Sequence, residues 1–84
     1  MATKLKEITV YYPNGNTETR QIEKPDLKEL QKLVEGYIEF VRLPRGNGHK
    51  VMVVNEEGLL KRLQFNAKAS MIARRTIVGV AVIY

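Results

Sequence analysis

Ile77-Val78-Gly79-Val80-Ala81-Val82-Ile83-Tyr84 is almost wholly apolar, and only Gly79 interrupts it. A strand with one wet face alternates apolar and polar residues. A run as continuous as this one is covered on both faces or paired in the middle of a sheet. The stretch is therefore placed centrally, and the rest of the chain is read as what must surround it.

Upstream, Asn66 offers a helix cap ahead of Ala67, Lys68, Ala69, Ser70, Met71, Ile72 and Ala73, which predicts a short second helix. Leu59-Leu60-Lys61-Arg62-Leu63 reads as a further short strand, and Asn55-Glu56-Glu57-Gly58 as a turn. Lys50 to Val54 and Tyr37 to Leu43 are rich in β-branched and aromatic residues, so two paired strands are expected around the turn cluster Pro44-Arg45-Gly46-Asn47-Gly48-His49. Before them, Leu27, Leu30, Leu33 and Val34 recur at helical spacing, with Lys28, Glu29, Gln31, Lys32 and Glu35 between them. Asp26 and Glu29 have capping-box spacing, or Pro25 is itself the first helical residue; Gly36 is expected to end the helix in the left-handed conformation. At the start of the chain, Leu5 to Tyr12 and Thr17 to Ile22 flank Pro13-Asn14-Gly15-Asn16, and the Asn-Gly pair signals a hairpin whose turn takes positive φ. The expected fold is α+β: a small, mostly antiparallel sheet with one amphipathic helix and a second short one, in the order ββαββ(β)αβ.

Length and composition bound the function. The 84 residues, 9.6 kDa, make one domain, 1–84, large enough for a modest core and small for an enclosed active site. With no cysteine there is no disulfide framework, thiolate zinc site, iron–sulfur cluster or cysteine nucleophile, and with His49 as the one histidine most other metal chemistry closes too. No stretch of eighteen apolar residues and no secretory leader is visible, so a soluble, cytoplasmic protein without membrane attachment is expected. Charge is unevenly placed. Residues 1–41 carry six Lys/Arg against seven Asp/Glu, and residues 42–84 carry eight against two, so the +5 of the whole chain belongs to its second half. Such asymmetry speaks to partners, not to fold.

No catalytic constellation emerges. Glu56 and Glu57 are adjacent in a turn, whereas acid–base pairs flank a substrate from opposing positions. Ser70 has no base near it in sequence, and His49 lies among cations in a Gly-rich loop. That loop, Arg42 to Lys50, carries Arg42, Arg45 and Lys50 beside two glycines and could approach an anion, but it lacks phosphate-loop spacing. Lys61-Arg62 and Arg74-Arg75 add two basic pairs flanking the second helix, and a single face for all three groups is the expectation that would make a nucleic-acid surface. No catalytic residue, cofactor or metal is assigned.

Gly36-Tyr37-Ile38-Glu39, Val51-Met52-Val53-Val54-Asn55-Glu56-Glu57-Gly58, Leu63-Gln64-Phe65-Asn66 and Ile77-Val78-Gly79 occur in an order that resembles a domain-of-unknown-function family of short phage, prophage and bacterial proteins. The resemblance covers about residues 27–83. The family pattern leads one to expect glycine at Arg62 and Arg74, proline at Gln64 and aspartate at Val80. It implies a phage context and no catalytic residue to carry over.

Three functional expectations follow. The leading one is a non-enzymatic binding protein of phage type, an accessory or inhibitor acting on a host protein or holding a small anionic ligand. The alternatives are a nucleic-acid-binding module using Arg42, Arg45, Lys50, Lys61, Arg62, Arg74 and Arg75, and a homo-oligomer formed through the Ile77 to Tyr84 strand if that strand lies at an edge.

Overall fold

The computed structural model describes residues 6–22, 27–44 and 51–83. Its elements are β1 (Lys6–Tyr11), β2 (Thr17–Ile22), α1 (Leu27–Val34), β3 (Ile38–Arg42), β4 (Val51–Asn55), α2 (Ala67–Ala73) and β5 (Ala81–Ile83). The five strands form one sheet in the order β2-β1-β5-β4-β3, with every neighbouring pair antiparallel, so the fold is α+β as expected. Among the described residues no helix is long and apolar enough to cross a membrane.

The last strand sits at the centre of the sheet, between β1 and β4. Its neighbours explain the missing polar alternation. Val82 packs on one face with Ile8, Val10, Val53 and the α1 residues Leu30 and Val34. Ala81 and Ile83 pack on the other with Val41, Met52, Val54 and the α2 residues Ala69 and Ala73. Each face therefore has its own helix, and a strand between two covered faces needs apolar residues at every position. Because Ala81, Val82 and Ile83 pair with β1 on one side, and Val82 and Ile83 with β4 on the other, β5 does not lie at an edge of the sheet, the position that self-pairing through it was expected to need. Tyr84, at its end, lies outside the described residues.

Four expectations change in detail. The β1–β2 connection is residues 12–16, in which Gly15 N–H donates to Tyr12 O (3.0 Å) and Tyr12 N–H to Asn16 O (2.9 Å), leaving three residues within the closing bond. Only Gly15 has positive φ, +95°; Asn14 instead accepts from Asn16 N–H through Oδ1 (2.9 Å), the hydrogen bond that makes asparagine a turn residue. Next, the left-handed residue after α1 is Glu35 (φ 62°), not Gly36. Gly36 N–H closes the helix end on Gln31 O (3.0 Å), and glycine is needed there for space: a Cβ would sit 2.7 Å from Asn55 Nδ2. Third, the apolar run from Ile77 narrows to a three-residue strand. Val78 is held by an isolated bridge to Phe65, and Gly79 (φ +77°) bends the chain between Val78 and β5.

The fourth change is the largest. Leu59 to Leu63 is not a strand. Lys61 N–H donates to Glu57 O (2.9 Å), Arg62 N–H to Leu59 O (3.2 Å) and Leu63 N–H to Gly58 O (3.0 Å), so residues 56–62 wind into a helical turn that Arg62 ends at φ 54°. Local bonds satisfy the backbone before a partner strand is needed. The Asp26 cap, Pro25, and the turn from Arg45 to Lys50 lie outside the described residues.

Two buried asparagines fasten the layers. Asn66 caps α2, its Oδ1 accepting from Ala69 N–H (3.1 Å), while its Nδ2 donates to Tyr11 O (2.9 Å) and Gly79 O (2.8 Å). Asn55 Nδ2 donates to Val34 O (3.0 Å) and Glu35 O (3.4 Å) at the end of α1, and its Oδ1 accepts from Glu57 N–H (2.8 Å).

Candidate functional site

The helical turn at 56–62 is seated on the chain that leads into β5. Gly58 lies against Val78, where a Cβ would come within 2.8 Å of Val78 Cγ2, and Leu63 fills the space over Gly79. With its backbone so anchored, the turn presents its side chains outward. Leu59 and Leu60 are 74% and 81% exposed. Beside them a cleft of about 130 Å³ opens on the α2 side of the sheet, between this turn, the β3 residues Glu39 and Val41, and Arg75. Glu56 and Glu57 also line it. Small-molecule sites span about 300–1,000 Å³, so this cleft holds a side chain more readily than a metabolite.

A second concavity adjoins the first and shares Arg75 and Thr76 with it. Its apolar residues are Phe65 and Met71, 54% and 79% exposed. The cause lies in α2. This helix turns Ala69 and Ala73 to the sheet, and its one large unbranched apolar residue, Met71, is on the opposite side. Four of the seven large apolar side chains exposed among the described residues thus fall between 59 and 71, around Arg75. They form one surface with apolar residues, a central cation and a carboxylate rim.

The described members of the basic set singled out from the sequence do not share a face. Arg42 stands opposite Val51 on β4, and Val51 packs with the α1 cluster, so Arg42 is on the α1 side, away from Arg75. Lys61 lies 4.0 Å from Glu57, and its Nζ reaches toward Gly36 at the end of α1. Arg62 and Arg74 are exposed, each in the left-handed region, with φ of 54° and 56°. Arg74 N–H and Arg75 N–H (3.3 Å) both return to Ser70 O, closing α2. Arg45 and Lys50 lie outside the described residues. Arg75 is the member of the set that the structure puts at the cleft.

Sequence reasoning missed Leu59, Leu60, Met71 and Glu39. The leucines were hidden by reading their segment as a strand, in which one of two neighbours would be buried. A signal was present: Gly58 followed by Leu-Leu-Lys-Arg allows a helical turn in which both leucines are outside. Ser70, by contrast, has a structural task, its Oγ accepting from Ile77 N–H (2.8 Å) and donating to Ile77 O (3.2 Å). Among the described residues no group of three His, Asp or Glu side chains gathers to hold a metal ion.

An antiparallel sheet with a helix on each face and a shallow amphipathic surface on its α2 side defines a small α+β domain. The family described as "Domain of unknown function (DUF3846)" matches residues 6–84, and the chain belongs to it. The match reaches back beyond residue 27 to take in the β1–β2 hairpin. No curated protein and no solved structure matches the chain.

Proposed function

We propose that this chain is a non-enzymatic binding protein of phage type, an accessory or inhibitor that engages a host protein through the α2 side of its sheet. The observation that carries this reading is the clustering of Leu59, Leu60, Phe65 and Met71 around Arg75. Exposed apolar side chains gathered on one side and rimmed by charge mark protein-interaction surfaces, and arginine is enriched at the energetic centres of such interfaces. The small, open cleft also supports binding over turnover.

Nucleic acid is the second reading, favoured by the basic second half of the chain. Glu39, Glu56 and Glu57 weigh against it, because they line the same cleft as Arg75 and repel phosphate. A small anionic ligand meets the same objection there.

The test immobilises the full chain and a Leu60→Asp variant with unchanged circular dichroism, and exposes both to bacterial lysate. A host protein retained by the parent and lost from the variant is the expected result. Retention of the same proteins by both sinks the reading. A mobility-shift series serves the second reading: four phosphate contacts give a log–log salt slope of about −3.6, and no retention at low salt removes it.

A further inference from the structure

The sheet ends in two edges, each with one acidic and one basic residue, that differ in what lies between the charges. β2 is polar along its length, Thr17-Glu18-Thr19-Arg20-Gln21, and Glu18 there is engaged by Arg20 and by Tyr12 Oη (3.4 Å). Lys68 of α2 reaches across to Gly15 O (3.0 Å) and Thr17 Oγ1 (3.5 Å), pinning the hairpin. Charge and side-chain cover of this kind guard an edge against pairing. β3 carries charge as well, at Glu39 and Arg42, but sets an aromatic ring between them. Its far side has no strand neighbour among the described residues, and it carries Phe40, 59% exposed, in the middle of the strand. Tyr37, just before it, is exposed as well.

Strand parity puts Phe40 and Arg42 on the same face: their β4 partners, Val53 and Val51, both belong to the α1 cluster. An exposed aromatic ring and an exposed guanidinium two residues apart on an edge strand are self-complementary. When a second β3 lies antiparallel about a two-fold axis through Val41, Phe40 of each copy faces Arg42 of the other, and Val41 faces its own copy. The ring quadrupole then meets a cation twice per interface. No like charges are opposed, since Glu39 falls opposite Leu43. Isologous pairing of this sort closes on itself and stops at two copies.

We propose that two copies of this chain pair through β3 in that register, joining their sheets into one of ten strands. The partner is a second copy of the chain, and the pairing edge meets the α2-side cleft at Glu39 and Val41, while Leu59, Leu60, Phe65 and Met71 lie outside β3.

Sedimentation velocity over micromolar to millimolar concentration tests it with the full chain and two variants at an exposed position. The parent shifts from monomer to dimer as concentration rises. Phe40→Lys sets an ammonium against Arg42 of the second copy and weakens the dimer by about a hundredfold or more, whereas Phe40→Glu sets a carboxylate there and keeps it. The glutamate arm separates this register from nonspecific apolar contact, which either charge abolishes. A parent monomeric throughout overturns the proposal, and so does a monomeric Phe40→Glu variant with native circular dichroism.

Discussion

The two faces of the sheet are closed by helices of similar length and different chemistry. On one, α1 presents Leu30 and Val34 to Ile8, Val10, Val53 and Val82, and branched side chains from both layers interlock. On the other, α2 presents Ala69 and Ala73, which bring the helix close but fill little space. The α2 side must then be completed by the chain on either side of the helix. Leu63, Phe65 and Ile77 lie along its border, and the cleft opens where the cover ends at Arg75. A thin helix face is thus what leaves a surface for a partner. The helices are also held at opposite ends: Asn55 donates to the carbonyls that finish α1, whereas Asn66 accepts from Ala69 N–H in the first turn of α2.

Removing either asparagine breaks that comparison most severely. Asn66→Ala deletes the cap on Ala69 N–H and leaves Tyr11 O and Gly79 O without their donor in a site that is 1% exposed. A lost cap costs about 1 kcal/mol and each buried group left unpaired at least about 1 kcal/mol, so a destabilisation of about 3 kcal/mol or more is expected in urea denaturation. That is a large part of the stability of a small domain. Asn55→Ala is expected to cost less, about 2–3 kcal/mol, because its contacts with Glu35 O and Glu57 N–H are only partly buried. A reversed order would show that the α1 side, not the α2 side, depends more on its polar anchor.

A smaller effect of opposite sign is expected at the helix ends. Glu35, Arg62 and Arg74 all sit in the left-handed region, and each precedes a residue whose N–H reaches back five positions: Gly36 to Gln31, Leu63 to Gly58, Arg75 to Ser70. An L-residue with a Cβ is strained there and glycine is not. Positions 62 and 74 are also where the family resemblance leads one to expect glycine. Arg62→Gly and Arg74→Gly should each raise stability by about 0.5–1 kcal/mol, the relief of strain outweighing the looser unfolded chain. A loss of stability in either variant would mean that the guanidinium makes up for the strain through a contact of its own.

Much of this architecture was legible in the residues. The continuous run ending in Ala81-Val82-Ile83 could only be satisfied at the centre of a sheet with both faces covered, and Asn66 announced α2 because a side-chain acceptor is needed where a helix begins. The helix stripe of Leu30 and Val34 was equally plain. What escaped was decided by approach between distant segments. Gly36 looked like a left-handed cap, yet it is fixed by the Asn55 side chain, nineteen positions on. Leu59-Leu60 has the composition of a strand, but Gly58 must fit under Val78, and local bonds then wind the segment into a turn. The candidate surface was illegible for the same reason, since it exists only because that turn carries its leucines outward next to Arg75.

The exposed leucines supply the smallest effect and the sharpest test of the difference between the faces. On the α1 side, Leu30 is 3% exposed, and Leu30→Ala removes packing from both helix and sheet at a cost of about 2–4 kcal/mol. On the α2 side, the double change Leu59→Ser and Leu60→Ser takes away more apolar surface, yet both side chains already face water. Their turn is held by backbone bonds from Lys61, Arg62 and Leu63, which serine leaves intact. Stability in urea is therefore expected to stay within about 0.5 kcal/mol of the parent. A cost beyond about 1 kcal/mol would place these leucines in the packed interior of the α2 side, and the surface around Arg75 would lose the apolar residues that distinguish it from an ordinary charged turn.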